Sequence, residues 1–158
     1  MKKPAKIISD WLFSTLAGVF VEGSTLYVPK GSVSEGVLAS GNIDVKDSRI
    51  VGYSITAGRV YPLATKEDVK TPYVTYDSIT VNYDATKDGC FPSSLTFRVL
   101  CVEKTYTAVD ALADAVEDAL NNAYVDELDS ELIITTRASE YDAGVGEFVE
   151  ELKFSITL

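Results

Sequence analysis

The sequence predicts an α+β fold, an antiparallel or mixed β-sheet with two main α-helices packed on it, in one domain spanning residues 1–158. Two observations carry this. Residues 73–83 are rich in Tyr, Val, Thr and Ile, and residues 95–103 alternate Leu95, Phe97, Val99 and Cys101 against Thr96 and Arg98, the period of a pleated, partly buried strand. The next segment changes period. Val109, Leu112, Ala113, Val116, Leu120 and Ala123 fall on one helical stripe, with Asp110, Asp114, Glu117, Asp118 and Asn121 opposite.

The elements follow in order. Residues 7 to about 17 form a first helix whose apolar face is Ile8, Trp11, Leu12, Thr15, Leu16 and Val19. Lys2, Lys3 and Lys6 ahead of this run imitate a secretion signal, but Asp10 inside it and the amphipathic spacing favour a docked helix. No apolar run approaches the length of a membrane span. Gly18 and Gly23 loosen the chain before an inserted hairpin or arm at about 24–56. That insert holds β-type runs at 25–28 and 49–55, punctuated by Gly31, Gly36 and Gly41, with Pro29-Lys30-Gly31 as a turn. Two central strands follow, separated by a turn-rich stretch. Thr107 is placed to cap the long helix, 107–123, with Asp110 at the capping-box position. Residues 132–137 form a strand, and Ala143-Gly144-Val145-Gly146 a turn. The last strand alternates Phe148, Leu152, Phe154, Ile156 and Leu158 against Glu151, Lys153 and Thr157, and Glu150 is the one break in its apolar phase. These last two strands predict an antiparallel hairpin.

Composition narrows the function classes. With 46% hydrophobic and 24% charged residues, the chain suits a packed core rather than disorder. A net charge of −10 argues against tight binding to nucleic acid or to anionic membranes. The absence of histidine removes the usual general base and the commonest transition-metal ligand, so an enzyme is disfavoured and no cofactor is expected. Cys90 and Cys101 are too few for a disulfide framework. Cys101 is in phase with the core strand, and Cys90 lies in the turn-rich stretch, a bridge between the two being the less favoured reading.

Several residue groups invite a site. Asp84-Ala85-Thr86-Lys87-Asp88-Gly89 imitates the start of a calcium loop, but Leu95 stands where a bidentate glutamate is needed, so a plain loop between strands is the better account. Glu140, Asp142 and Glu147 match no metal or glycosidase spacing and read as turn and solvent-facing acids. No Lys or Arg occurs between Lys104 and Arg137, so Asp114, Glu117 and Asp118 form an acidic surface, either a solvated face or the wall of a channel. Tyr73, Tyr76 and Tyr83, with Tyr53, Tyr61 and Tyr106, are either strand filling or a subunit interface, where amphipathic aromatics are enriched.

One resemblance joins these pieces. The order of Gly58-Arg59-Val60-Tyr61-Pro62, then Pro72-Tyr73-Val74-Thr75-Tyr76, then a strand, then Lys104-Thr105-Tyr106-Thr107 opening an Ala-Leu-Ala-Asp-Ala-Val helix resembles the tail-completion, or tail-terminator, family of long-tailed bacteriophages and prophages. The resemblance implies a non-catalytic virion protein, assembled in the bacterial cytoplasm, that forms a usually hexameric ring capping the tail tube and joining it to the head. Its implied partners are copies of itself, tail-tube protein and a head-completion or connector protein. The insert at 24–56 departs from the family pattern, in which the first helix is followed quickly by the Gly-Arg-aliphatic-Tyr-Pro element. A non-phage adaptor module using that insert, and a small carboxylate-based enzyme, are the alternative readings.

Overall fold

The structure, a computed structural model, describes residues 3–17, 19–22, 52–54, 60–62 and 71–158. In chain order its elements are α1 (Pro4–Ala17), β1 (Phe20–Glu22), β2 (Gly52–Ser54), β3 (Val60–Pro62), β4 (Tyr73–Thr86), β5 (Gly89–Glu103), α2 (Tyr106–Leu120), β6 (Tyr124–Val125), β7 (Ser130–Asp142) and β8 (Glu147–Thr157). The alternation of β5 and β8 organises the rest. Leu95, Phe97, Val99 and Cys101 lie opposite Ile156, Phe154, Leu152 and Glu150, all on one face and all buried. Phe97 and Phe154 stack at 5.4 Å across that pair.

Around this pair runs a six-stranded sheet in the order β3-β4-β5-β8-β7-β6. Only β3 is parallel to its neighbour, so the sheet is mixed, and the expected β7–β8 hairpin is antiparallel. Irregular pairing between Asp77 and Thr80 on β4, and between Ile134 and Thr136 on β7, bends the strands locally. Ser78 takes a φ of 54° within the first of these. A separate pair, β1 with β2, is antiparallel and brackets residues 23–51. The turn at Pro29-Lys30-Gly31, the 25–28 strand and the body of the 24–56 arm lie outside the described residues, as do Gly58 and Arg59 of the family-like segment.

Both helices lie against the sheet, α1 near β3 and β4, α2 over β5, β7 and β8. On α1, Ile8, Leu12 and Leu16 are buried one turn apart, with Trp11 partly buried beside them. The Tyr76 hydroxyl donates to the Ser9 carbonyl at 3.1 Å and ties this helix to β4. The helix begins at Pro4, ahead of the expected residue 7, because proline at a first helical position forfeits no intrahelical bond. On α2, Val109, Leu112, Val116 and Leu120 are fully buried, each contributing roughly 1.5–3 kcal/mol before entropy.

Both ends of α2 differ from expectation. Its cap is Thr105, not Thr107: Thr105 is extended and its hydroxyl accepts from the Ala108 N–H at 3.2 Å. Helix geometry stops at Leu120, so Ala123 lies beyond the stripe. Asn122 adopts a left-handed φ of 64°, and the Asn121 side chain accepts from the Ile134 N–H on β7 instead of continuing the helix. The strands also run further than alternation alone indicates. The turn-rich stretch is a ladder, shifted in register between Asn82 and Tyr83, that closes at Thr86↔Gly89 and leaves only Lys87 and Asp88 in the turn. Cys90 therefore sits exposed on β5 and Cys101 is buried further along the same strand, both as free thiols.

Candidate functional site

On the helix-covered face, one arginine of β7 gathers the acids of two other elements, α2 and β8. Arg137 lies opposite Leu152 on the core side of β7. Its Nε donates to Glu150 Oε1 on β8. Nη1 donates to Asp114 Oδ1 at 2.7 Å and Nη2 to Asp110 Oδ1 at 2.9 Å, while Glu117 Oε1 stands 3.6 Å from Nη1. Burial works to lower the guanidinium's proton affinity, but the bonds to Glu150 and Asp114 outweigh it and hold the group more firmly charged than ordinary arginine. Glu150 is 3% exposed, and its Oε2 has no hydrogen-bond partner among the described residues. Its opposite neighbour, Cys101, has its thiol pushed well up by burial and then by Glu150's charge, so it stays protonated.

The acidic surface is thus divided. Asp114 and Glu117 are held by Arg137, whereas Asp118 is exposed with no partner among the described residues. The arginine cluster fastens α2 to the sheet.

The open face of the sheet carries a second cluster. Arg98 donates to both oxygens of Asp77, at 3.0 Å from Nη2 to Oδ2, and from Nη1 to Glu151 Oε2 at 2.9 Å. The Asp77 bonds, then those to Glu151, raise its proton affinity. Lys153 lies 3.6 Å from Glu151. Beside them is a shallow hollow of about 390 Å³ bordered by Ser78, Thr80, Thr96 and Thr135, at the two irregular points of β4 and β7. Its charges are matched internally. Among the described residues no group of three or more His, Cys, Asp and Glu could hold a metal ion.

The two ends of the sheet are different in kind. The β5–β8 pairing ends at Ser94↔Thr157, so residues 82–93 run on as a two-stranded ribbon without a third strand among the described residues. Every residue from Asn82 to Pro92 is exposed. Tyr83 is 62% exposed and Phe91 52%. Pro92 is tolerated there because this part of β5 has no β8 neighbour to bond. At the opposite end lies an aromatic rim. Tyr106 and Tyr141 both contact Phe148, with ring centroids 6.1 Å and 4.7 Å away, and Tyr61 meets Tyr73 edge-on at 6.2 Å. The Tyr73 hydroxyl donates to Glu147 Oε2 at 3.5 Å, and Lys104 is 3.6 Å from the same carboxylate. Tyr106 is 55% exposed and Tyr141 54%.

The three tyrosines singled out from sequence are therefore not one patch. Tyr83 is on the ribbon, Tyr73 is in the opposite rim, and Tyr76, 1% exposed, is inside the subunit. Phe91, Tyr141, Arg137 and Glu150 join them as site residues that the sequence patterns above do not single out. Signals for the last two existed: Glu150 breaks an apolar phase, and Arg137 ends the long cation-free stretch.

No protein-family model matches the chain, and no curated protein matches it. A solved structure shares its fold. That structure is a chain of the virion of the native gene transfer agent (GTA) particle, superposing with a TM-score of 0.52 at 18% identity over 64% of this chain and 78% of the other.

Proposed function

We propose that this chain is a structural protein of a phage-like virion, a tail-completion protein whose copies form a closed ring that caps the tail tube and meets the head. The observation that carries this reading is the placement of exposed aromatics at opposite ends of one sheet, the ribbon of Tyr83 and Phe91 and the rim of Tyr106 and Tyr141. Two unlike patches on one subunit suit heterologous, head-to-tail contact, which closes into a ring at the right rotation. An isolated two-stranded ribbon is marginal in water, and a neighbouring subunit would cover it. The fold shared with a chain of the GTA virion supports a place in such a particle. So does the order of the Tyr61-Pro62, Pro72-Tyr73 and Tyr106 segments noted above.

On this reading the protein is non-catalytic and needs no cofactor. Its partners are its own copies, most simply six to a ring, with tail-tube protein on one side and a head-completion or connector protein on the other. The test is electron microscopy and light scattering of the purified chain, with and without tail tubes. The expected result is a closed ring, alone or on the tube end. Monomers that fail to associate under both conditions would overturn the proposal.

A further inference from the structure

The outer edge of β7 is unpaired along its second half among the described residues. β6 pairs only with Ser130 and Glu131, and the 121–123 segment satisfies Leu132 and Ile134. From Thr136 to Asp142 no strand pairs with this edge among the described residues. Protein edges are usually blunted by lysine, proline, bulges or short length. β7 is 13 residues long, has neither lysine nor proline, and has its irregularity before Thr136. Arg137 is its one cation, and that side chain is turned onto the helix face and bonded there.

The charge around the edge decides what fits it. On the helix face the α2 flank carries Asp110, Asp114 and Glu117, which share the single charge of Arg137, and Asp118, unpaired among the described residues, so it stays net acidic. The strand itself presents Glu131, Glu140 and Asp142, all exposed. A strand added here would alternate its side chains between the α2 acids and the side of Glu140 and Asp142, so cations at successive positions would meet carboxylates on both faces. A second copy of this chain, at net charge −10, would bring acid against acid.

The geometry points to an extended, lysine- or arginine-rich segment of another protein as the occupant of this edge, bound by strand addition along Thr136 to Asp142. The stretch reaches the aromatic rim at Tyr141, but binding here is read from the β7 backbone of the chain alone, so its failure is distinguishable from failure of the ring. Backbone bonds would supply the affinity and the acids the selection against acidic segments.

The test titrates the isotope-labelled full chain with a short synthetic peptide repeating Lys-Lys-Val-Val, which places lysines on both faces of an added strand, and follows amide hydrogen exchange. The expected result is slowing of the outward amides between residues 136 and 142 by roughly tenfold at saturation, at every second residue. A glutamate–valine peptide should leave the edge unchanged, and backbone N-methylation of the lysine peptide on its bonding side should abolish the protection. Asp118→Lys, clear of the Arg137 contacts, should weaken binding about two- to fivefold. No protection by the lysine peptide would overturn the proposal. So would equal protection by the glutamate peptide, or undiminished binding after N-methylation, which would mean mere adsorption by charge.

Discussion

Beneath α1 and α2, the large side chains that leave the sheet meet partners from the same chain. Leu112 and Leu120 close on the β5–β8 pair, Tyr76 bonds Ser9, and Arg137 gathers Asp110, Asp114, Glu117 and Glu150. At the two ends of the sheet the pattern reverses: Tyr83, Phe91 and Tyr141 on strands, and Tyr106 at the start of α2, are exposed. The covered half is complete within one copy of the chain, and on the proposed function the ends would gain from a second. The two regions should therefore respond to substitution in opposite ways, stability changing in one and assembly in the other.

The largest stability effect is expected at Arg137. Arg137→Ala leaves Glu150 buried and unpaired and should cost about 3–5 kcal/mol in denaturant unfolding. Replacing both partners together, Arg137→Met with Glu150→Leu, should recover most of that loss, because apolar residues of similar size are tolerated where a lone charge is not. Next come Leu112→Ala and Leu120→Ala, each about 2–5 kcal/mol through lost burial and a cavity. Asp114→Ala gives up a half-exposed ion pair and should cost about 0.2–1 kcal/mol, whereas Asp118→Ala should cost less still. If Asp114 and Asp118 behaved alike, the division of the acidic face would be wrong. Smallest of all, a mild thiol reagent should modify Cys90 and leave Cys101 untouched in the native protein, since Cys101 is buried and its thiol is held protonated. Mass spectrometry before and after denaturation reads this directly.

How much of this was legible in the sequence depends on the range of the interaction. The β5 and β8 alternation and the α2 stripe follow from local period, and both appear, the stripe as far as Leu120. Glu150 is visible as a break in phase, but its meaning lies in Arg137, brought diagonally across from it by a hairpin register that composition does not specify. The 82–93 ribbon was hidden because Gly89, Pro92 and the acids around Lys87 are turn-forming residues, and cross-strand pairing overrides them. The tyrosines failed as a group for a geometric reason. Tyr73 and Tyr83 stand toward opposite ends of one long strand, and an irregularity between Asp77 and Thr80 shifts the phase between them.

The comparison is tested most directly by the double variant Tyr83→Ser, Phe91→Ser, with thermal unfolding and mass in solution measured on the same samples. Both residues are more than half exposed, so stability should change by no more than about 0.5 kcal/mol. Assembly should be lost, the variant remaining monomeric and failing to cap tail tubes under conditions where the parent chain forms rings. A variant that assembles as readily as the parent would contradict the account, because the ribbon would then be no part of the contact between subunits.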